Sequence, residues 1–189
     1  MGKTAFKPGN MIYPLPAVMV SCGDSEETYN IITIAWTGTI CSDPPLCYIS
    51  VRKERHSHDI IARTGEFVIN LTTEALARAT DWCGVKSGRD VNKFHEMHLT
   101  PEKGQIVKAP LIAESPLNIE CQVTEIRELG SHDMFMARVV AIDADERLID
   151  KSTGAFQLNH CSPLAYSHGK YYGLGEKLGG FGFSVRKKR

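Results

Sequence analysis

Three groups of residues in this chain have the types and spacing to do chemistry. Arg52, His56 and Ser57 follow an apolar run and precede His58 to Arg63, a stretch that predicts a short helical turn ended by Thr64-Gly65. A helix start leaves N–H groups unpaired and carries the positive end of the helix dipole, so this position favours a phosphate. Ser57 also reads as a plain helix cap, and one hydroxyl can serve as both; Arg52 is the residue that separates the two readings. Upstream, Trp36 is followed by Thr37, Gly38, Thr39 and Ser42, then by the pair Pro44-Pro45. Proline fixes φ and lacks an N–H, so the amides near the pair are predicted to have few ladder partners and to form a ledge facing a planar ligand. From residue type alone, Trp36 reads equally as a core aromatic at a strand end and as a wall of that ledge.

The third group is polar and scattered. Asn70 stands in the otherwise apolar run Phe67 to Leu71. A buried amide costs free energy unless it is satisfied, so either a cofactor or a neighbouring loop backbone must meet it. Val85 to Gly104 has no clean period, and Lys86-Ser87-Gly88-Arg89-Asp90 has the composition of a surface loop able to close over a ligand. Metal chemistry is not expected: His95-Glu96-Met97-His98 is one residue short of the zinc-protease spacing, and His56 and His58 lack a third ligand. Gly173-x-Gly175 with Gly179-Gly180 has no following helix and strand to complete a dinucleotide-binding unit. Cys41 and Cys47 flank the prolines, and an unreactive buried strand thiol is the expected state.

Strands must hold these groups in place. Ala17 to Cys22 and Tyr29 to Trp36 are apolar runs joined by the polar turn Gly23 to Thr28, which predicts a hairpin; Leu46 to Val51 and Phe67 to Leu71 are further strands. Thr72 or Thr73 can cap a helix through Ala75, Leu76, Ala79 and Trp82 that ends near Gly84. Leu117 to Glu128 and Met134 to Asp143 are the longest β-like runs and are predicted to pair antiparallel across the loop Leu129 to Asp133. Mostly strands, two inserted helices and no βαβ alternation predict a mainly β fold, an antiparallel barrel whose closure hides strand edges.

A length of 189 residues suits one domain, 1–189, with an irregular tail from about 173. The 22 basic and 22 acidic side chains balance, which gives no reason to expect a nucleic acid or an anionic membrane as partner, and the basic run Ser184 to Arg189 reads as solvated charge. No apolar run has the length of a membrane span. Six cysteines without CxxC spacing, and an N-terminus with no apolar signal region, predict a soluble protein of a reducing cytoplasm.

The ordered segments Asn30-x-x-Thr33-x-Ala35-Trp36, Cys41-Ser42-Asp43-Pro44-Pro45, Ser50-Val51-Arg52 and Gly65-x-Phe67-Val68-x-Asn70 resemble the flavin reductase-like FMN-binding split-barrel family. The tryptophan resembles the flavoredoxin variant. Gly130-Ser131-His132-x-x-Phe135 is similar to the family's Gly-Asp-His signature, with Ser131 in the Asp place. Pro163-Leu164-Ala165-Tyr166 followed by Gly169-Lys170-Tyr171-Tyr172 resembles its closing strand, and the likeness runs from residue 10 to residue 175. It implies a homodimeric, six-stranded Greek-key split barrel with FMN in a groove near the subunit interface.

The same resemblance implies that Asn30, Trp36, Thr37, Gly38, Thr39, Ser42, Arg52, His56, Ser57, Asn70, Lys86, Ser87, Lys93 and Tyr166 bind the cofactor. Lys93 is matched to a family lysine at the N1 and O2 edge of the ring, where its charge would stabilise the reduced form; by type alone it reads equally as a surface lysine. His132 is expected to reach the open face of the flavin, in its own or the partner subunit, and to orient the electron donor; a packed loop histidine is the plainer reading. Tyr166 is expected beside the ring. The implied activity is an oxidoreductase that takes electrons from NADH, NADPH or another reduced carrier and passes them to flavin or a redox partner. Hydride transfer between stacked rings needs geometry more than acid–base groups, in keeping with the lack of an obvious carboxylate pair. The alternatives are a flavoredoxin-like electron carrier without NAD(P)H activity and a non-catalytic barrel that binds another ligand or a protein.

Overall fold

Alternating apolar residues set the strands, and the strand order sets the shape. The computed structural model describes residues 2–185, so Arg186 to Arg189 of the basic run lie outside the described residues. The elements are β1 (Leu15–Pro16), β2 (Val18–Cys22), β3 (Asn30–Ile34), β4 (Thr37–Ser42), β5 (Pro45–Arg52), α1 (His56–Thr64), β6 (Glu66–Asn70), α2 (Ala77–Val85), α3 (Lys93–Glu96), β7 (Pro101–Glu102), β8 (Leu111–Ile112), β9 (Leu117–Glu128), β10 (His132–Ala144), β11 (Leu164–Ser167) and β12 (Lys170–Gly173). A 3-10 turn, Glu74–Leu76, leads into α2.

Seven strands form one antiparallel sheet in the order β3-β2-β6-β9-β10-β5-β4. The two outermost strands, β3 and β4, are separated in the chain only by Ala35 and Trp36. Three Cα steps reach at most about 11 Å, so the sheet must curl until its edges meet. At that seam Ser50 N donates to Trp36 O at 2.9 Å. The result is the expected mainly β barrel, split at one seam. The family likeness implies six strands where seven are found, because β3 and β4 are successive segments interrupted only at the seam.

Period-two alternation fills the interior. Val18, Val20 and Cys22 of β2, Cys47, Ile49 and Val51 of β5, Phe67 and Ile69 of β6, and Phe135 and Ala137 of β10 form one buried cluster with Ile60 and Ile61 of α1. A second cluster takes the other faces of β2 and β3, where Met19 and Ile31 meet Ala79 and Cys83 of α2 and Phe94 of α3. A separate three-stranded sheet, β1-β11-β12, carries the segment predicted as the closing strand. Among the described residues no helix is long and apolar enough to cross a membrane.

The hairpin β9-β10 and the end of α1 agree with the sequence. Gly65 takes φ 68° and its N–H bonds to Ile61 O, a left-handed cap that favours glycine. Four elements differ. The ledge at Thr37–Ser42 is an end strand of the sheet, paired with β5 on one side with a register shift between Thr39 and Cys41, and Ser42 lies opposite Pro45. Prolines are tolerated at such a place because one forms the turn and the other begins the strand. Helix α1 starts at His56, two residues early, after a turn in which Arg55 N bonds to Arg52 O. His132 opens β10 instead of lying in the loop. The aperiodic segment contains α3, capped by Asn92, whose side chain accepts from His95 N; a helix of four residues is too short to show a period.

Candidate functional site

Two cavities adjoin, sharing Ile32 and Arg55 in their walls. The larger, of about 480 Å³, is floored by the end of β3 and the seam, Thr33 to Trp36, and by Ser50 to Arg52 of β5. Tyr13, Tyr166 and Tyr171 form an aromatic wall, and Asp81, Gly84 and Val85 at the end of α2 close another side. His132 lies opposite Arg52 in the β10–β5 ladder, and its ring sits 4.5 Å from the indole of Trp36 at 38°. Burial first, and then the charge of Arg52, hold the His132 imidazole below its ordinary pKa, so it is neutral at pH 7. The Tyr171 hydroxyl is pushed up to about 12 by burial and by the carboxylate of Asp81.

The smaller cavity, of about 290 Å³, is built from two short stretches, Glu54 to Ser57 at the start of α1 and Lys86 to Arg89 after α2, together with Asn30, Cys83 and Lys93. Arg55 holds the N-cap position of α1 without a side-chain cap bond, so the cap residue leaves the first N–H groups of the helix to other partners, and the carboxylate of Asp59 lies in the first turn, 3.7 Å from Arg89. Arg55, Lys86, Arg89 and Lys93 bring four cations to this wall against the single carboxylate of Glu54. His56 is held below its ordinary pKa by burial and then by Arg89. Ser57 is buried and accepts a 2.7 Å bond from Asn30 Nδ2. Gly88 presses on the same amide: a Cβ there would stand 2.1 Å from Asn30 Oδ1.

Lys93 is 3% exposed and its ammonium donates to Ile31 O and Cys83 O, each at 2.7 Å. Two of its three N–H groups are thus fixed by backbone, and one remains for a ligand. Burial lowers its pKa to about 8.

The structure therefore brings Trp36, Arg52, His132 and Tyr166 to the larger cavity and Asn30, His56, Ser57, Lys86, Ser87 and Lys93 to the smaller. Several of the expected residues are placed differently. Asn70 is fully buried and spent on the protein: Nδ2 donates to Met19 O and Ser21 Oγ, each at 2.9 Å, while Oδ1 accepts from Ile112 N and Asn118 Nδ2. No bonding capacity is left for a cofactor. Lys93 belongs to the smaller cavity, whose lining does not include Trp36, because carbonyls of β3 and α2 draw its ammonium inward. Thr37, Gly38, Thr39 and Ser42 line neither cavity; one edge of their strand pairs with β5, and Thr37 Oγ1 donates to Tyr48 O at 2.7 Å.

Sequence reasoning missed Arg55, Arg89, Asp81 and Tyr171. Arg55 stands directly before His56 in the stretch already singled out, so its place at a helix start was the available signal. Arg89 reaches back to Glu54 O at 3.0 Å, a contact between distant segments that no local pattern encodes.

Comparison with known proteins identifies the domain and the fold. The flavin reductase like domain matches residues 10–175. Flavoredoxin of Desulfovibrio vulgaris (Miyazaki F) is 29% identical with a TM-score of 0.89, covering 98% of this chain and 100% of that one. A split-barrel-domain protein of Shewanella frigidimarina shares the fold at 22% identity and a TM-score of 0.80, covering 90% of this chain and 86% of that one. The reductase component of a 4-nitrophenol monooxygenase of Rhodococcus opacus is 26% identical over 142 residues, 74% of this chain and 64% of the relative. With the domain match extending over most of its length, the chain belongs to the flavin reductase-like family.

Proposed function

We propose that the chain binds FMN across its two adjoining cavities and passes electrons from NADH, NADPH or another reduced carrier to flavin or a redox partner. The observation that carries this reading is the pairing itself: a cationic pocket at a helix start opens beside an aromatic one, and Arg55 lies in both walls. A phosphate on a planar ring is the ligand class that this division suits. The tight approach of Gly88 to Asn30 supports it, since a side chain at residue 88 would intrude on that wall.

In this reading His56, Ser57, Lys86, Ser87 and Lys93 hold the phosphate, and Arg55 spans phosphate and ring ends. Trp36, Arg52, Tyr166 and Tyr171 flank the ring, and neutral His132 shields one side of that pocket from water without adding charge. When bound, FMN supplies a ring that takes up two electrons and releases them singly or together. Exposed Met11 and Ile12, which line a further cavity on Trp36, are apolar surface that a second copy of the chain would cover, and a homodimer is part of the proposal.

The test is the absorbance spectrum of the purified protein loaded with FMN, followed anaerobically on addition of NADH and NADPH. Retained yellow colour that bleaches with either nucleotide is expected. Failure to retain FMN overturns the reading. Retention without bleaching selects the second reading, an electron carrier without NAD(P)H activity, which the 29% identity to a flavoredoxin favours.

A further inference from the structure

One histidine–carboxylate pair outside both cavities, half-buried at His58 and buried at Asp133, joins the elements that build them. Asp133 is 4% exposed, and its Oδ2 lies 2.8 Å from His58 Nε2. Its other oxygen is buried without a hydrogen-bond partner and has Lys53 Nζ at 3.5 Å. His58 is in the first turn of α1, the turn that presents His56 and Ser57 to the smaller cavity. Asp133 is next in β10 to His132, which lines the larger cavity. Adjacent strand residues face opposite ways, so Asp133 and Phe135 point under α1 while His132 points toward Trp36. The His58 ring meets Phe135 edge-on, with centroids 5.2 Å apart.

The rest of α1 is anchored differently. Ile60 and Ile61 sink into the barrel core, and apolar burial is non-directional. It holds the helix down without fixing where the first turn points; Ser57, accepting from Asn30 Nδ2 at 2.7 Å, ties that turn to β3, and Arg63 ties the far end to Asp24. A hydrogen bond to a carboxylate has both distance and angle preferences, and the His58–Asp133 contact supplies the corresponding constraint toward β10.

We infer that His58 and Asp133 are positioning residues for ligand binding: their contact locks the helix start that faces the phosphate to the strand that carries His132, fixing the two cavities relative to each other. This rests on the proposal that the smaller cavity takes the phosphate of FMN. A molecule that engages both cavities needs them in register, whereas one lacking the phosphate needs only the larger. Loss of the pair therefore acts on the advantage that the phosphate confers and leaves the ring's own affinity in place.

The experiment compares dissociation constants for FMN and riboflavin in the full chain, in Asp133→Asn, which is nearly isosteric, and in His58→Gln, with the phosphorus NMR shift of bound FMN as a second readout. The wild type is expected to prefer FMN strongly. Both variants are expected to lower the FMN-to-riboflavin preference about tenfold, with riboflavin affinity within about twofold and the phosphorus signal shifted or broadened. A preserved preference in folded variants overturns the inference. So does an equal weakening of both ligands, the mark of a merely structural pair. Equal affinities in the wild type overturn the phosphate assignment itself, and with it this inference, so the two failures are distinguishable.

Discussion

The smaller cavity is made largely of charge from two short stretches, Glu54 to Ser57 and Lys86 to Arg89, while the larger is made of rings and strand ends drawn from Tyr13 to Tyr171. The first is suited to hold an anion by electrostatics and a helix start; the second is suited to hold a plane by surface and shape. Under the proposed function, affinity for a phosphorylated ring divides between them, and chemistry on the ring belongs to the second. Arg55 is the charged residue on the border, which makes the division testable by ligands that engage one cavity or both.

The largest effect is expected at Lys93. Lys93→Met removes a cation from the smaller cavity and leaves the carbonyls of Ile31 and Cys83 without their donor. A buried acceptor left unpaired costs about 1–3 kcal/mol, so the variant is expected to lose roughly 2–6 kcal/mol in urea denaturation of the FMN-free protein. Its FMN affinity is expected to fall by about tenfold or more, with riboflavin affected much less, as isothermal titration would measure. Similar losses for the two ligands would erase the distinction between the cavities at this residue.

Next in size is a pH effect with two opposite signs. Burial sets the Lys93 pKa at about 8, below its ordinary value. A phosphate dianion favours the charged amine, so wild-type FMN affinity is expected to fall as pH rises through about 8, and to be flatter in Lys93→Met. Stability of the FMN-free protein goes the other way. Between about 8 and the ordinary lysine value the unfolded chain holds more protons than the native one, so stability rises with pH in that window. Denaturation midpoints at pH 7.5 and 9.5, wild type against variant, check the sign.

Trp36 tests the other cavity. Trp36→Leu keeps an apolar side chain and removes the broad aromatic face, and a loss of about 1 kcal/mol is expected for FMN and riboflavin alike. Their ratio should stay where it was. A selective loss of FMN would place the phosphate near the indole and exchange the roles of the two cavities.

The same division governs what the sequence reveals. Interior strands are legible wherever apolar residues alternate, as at Cys47, Ile49 and Val51, and the long hairpin β9-β10 and the Gly65 cap are legible too. The smaller cavity is partly legible because His56 and Ser57 adjoin, as do Lys86 and Ser87. The larger is not: Trp36 becomes a wall only when the sheet closes at its seam and β11 arrives from the other end of the chain. Asn70 shows the limit from the opposite side. Its need for partners is readable in an apolar run, but Asn118 and Ile112 are brought to it by later strands, and they consume the capacity assigned to a cofactor.

The smallest expected effect separates holding a ring from using it. His132 stacks against Trp36 and is neutral at pH 7, so it contributes little charge to ligand affinity. Under the proposed function, its place opposite Arg52 in the wall of the larger cavity is where an electron donor would be oriented. His132→Ala is expected to leave FMN and riboflavin affinities within about twofold and to slow anaerobic bleaching by the better nicotinamide roughly threefold at saturating donor, since misplacing one reactant lowers the fraction of productive encounters. Stopped-flow absorbance resolves a change of that size. An unchanged bleaching rate with weakened binding would reduce His132 to wall material, and the larger cavity would then differ from the smaller only in what it holds.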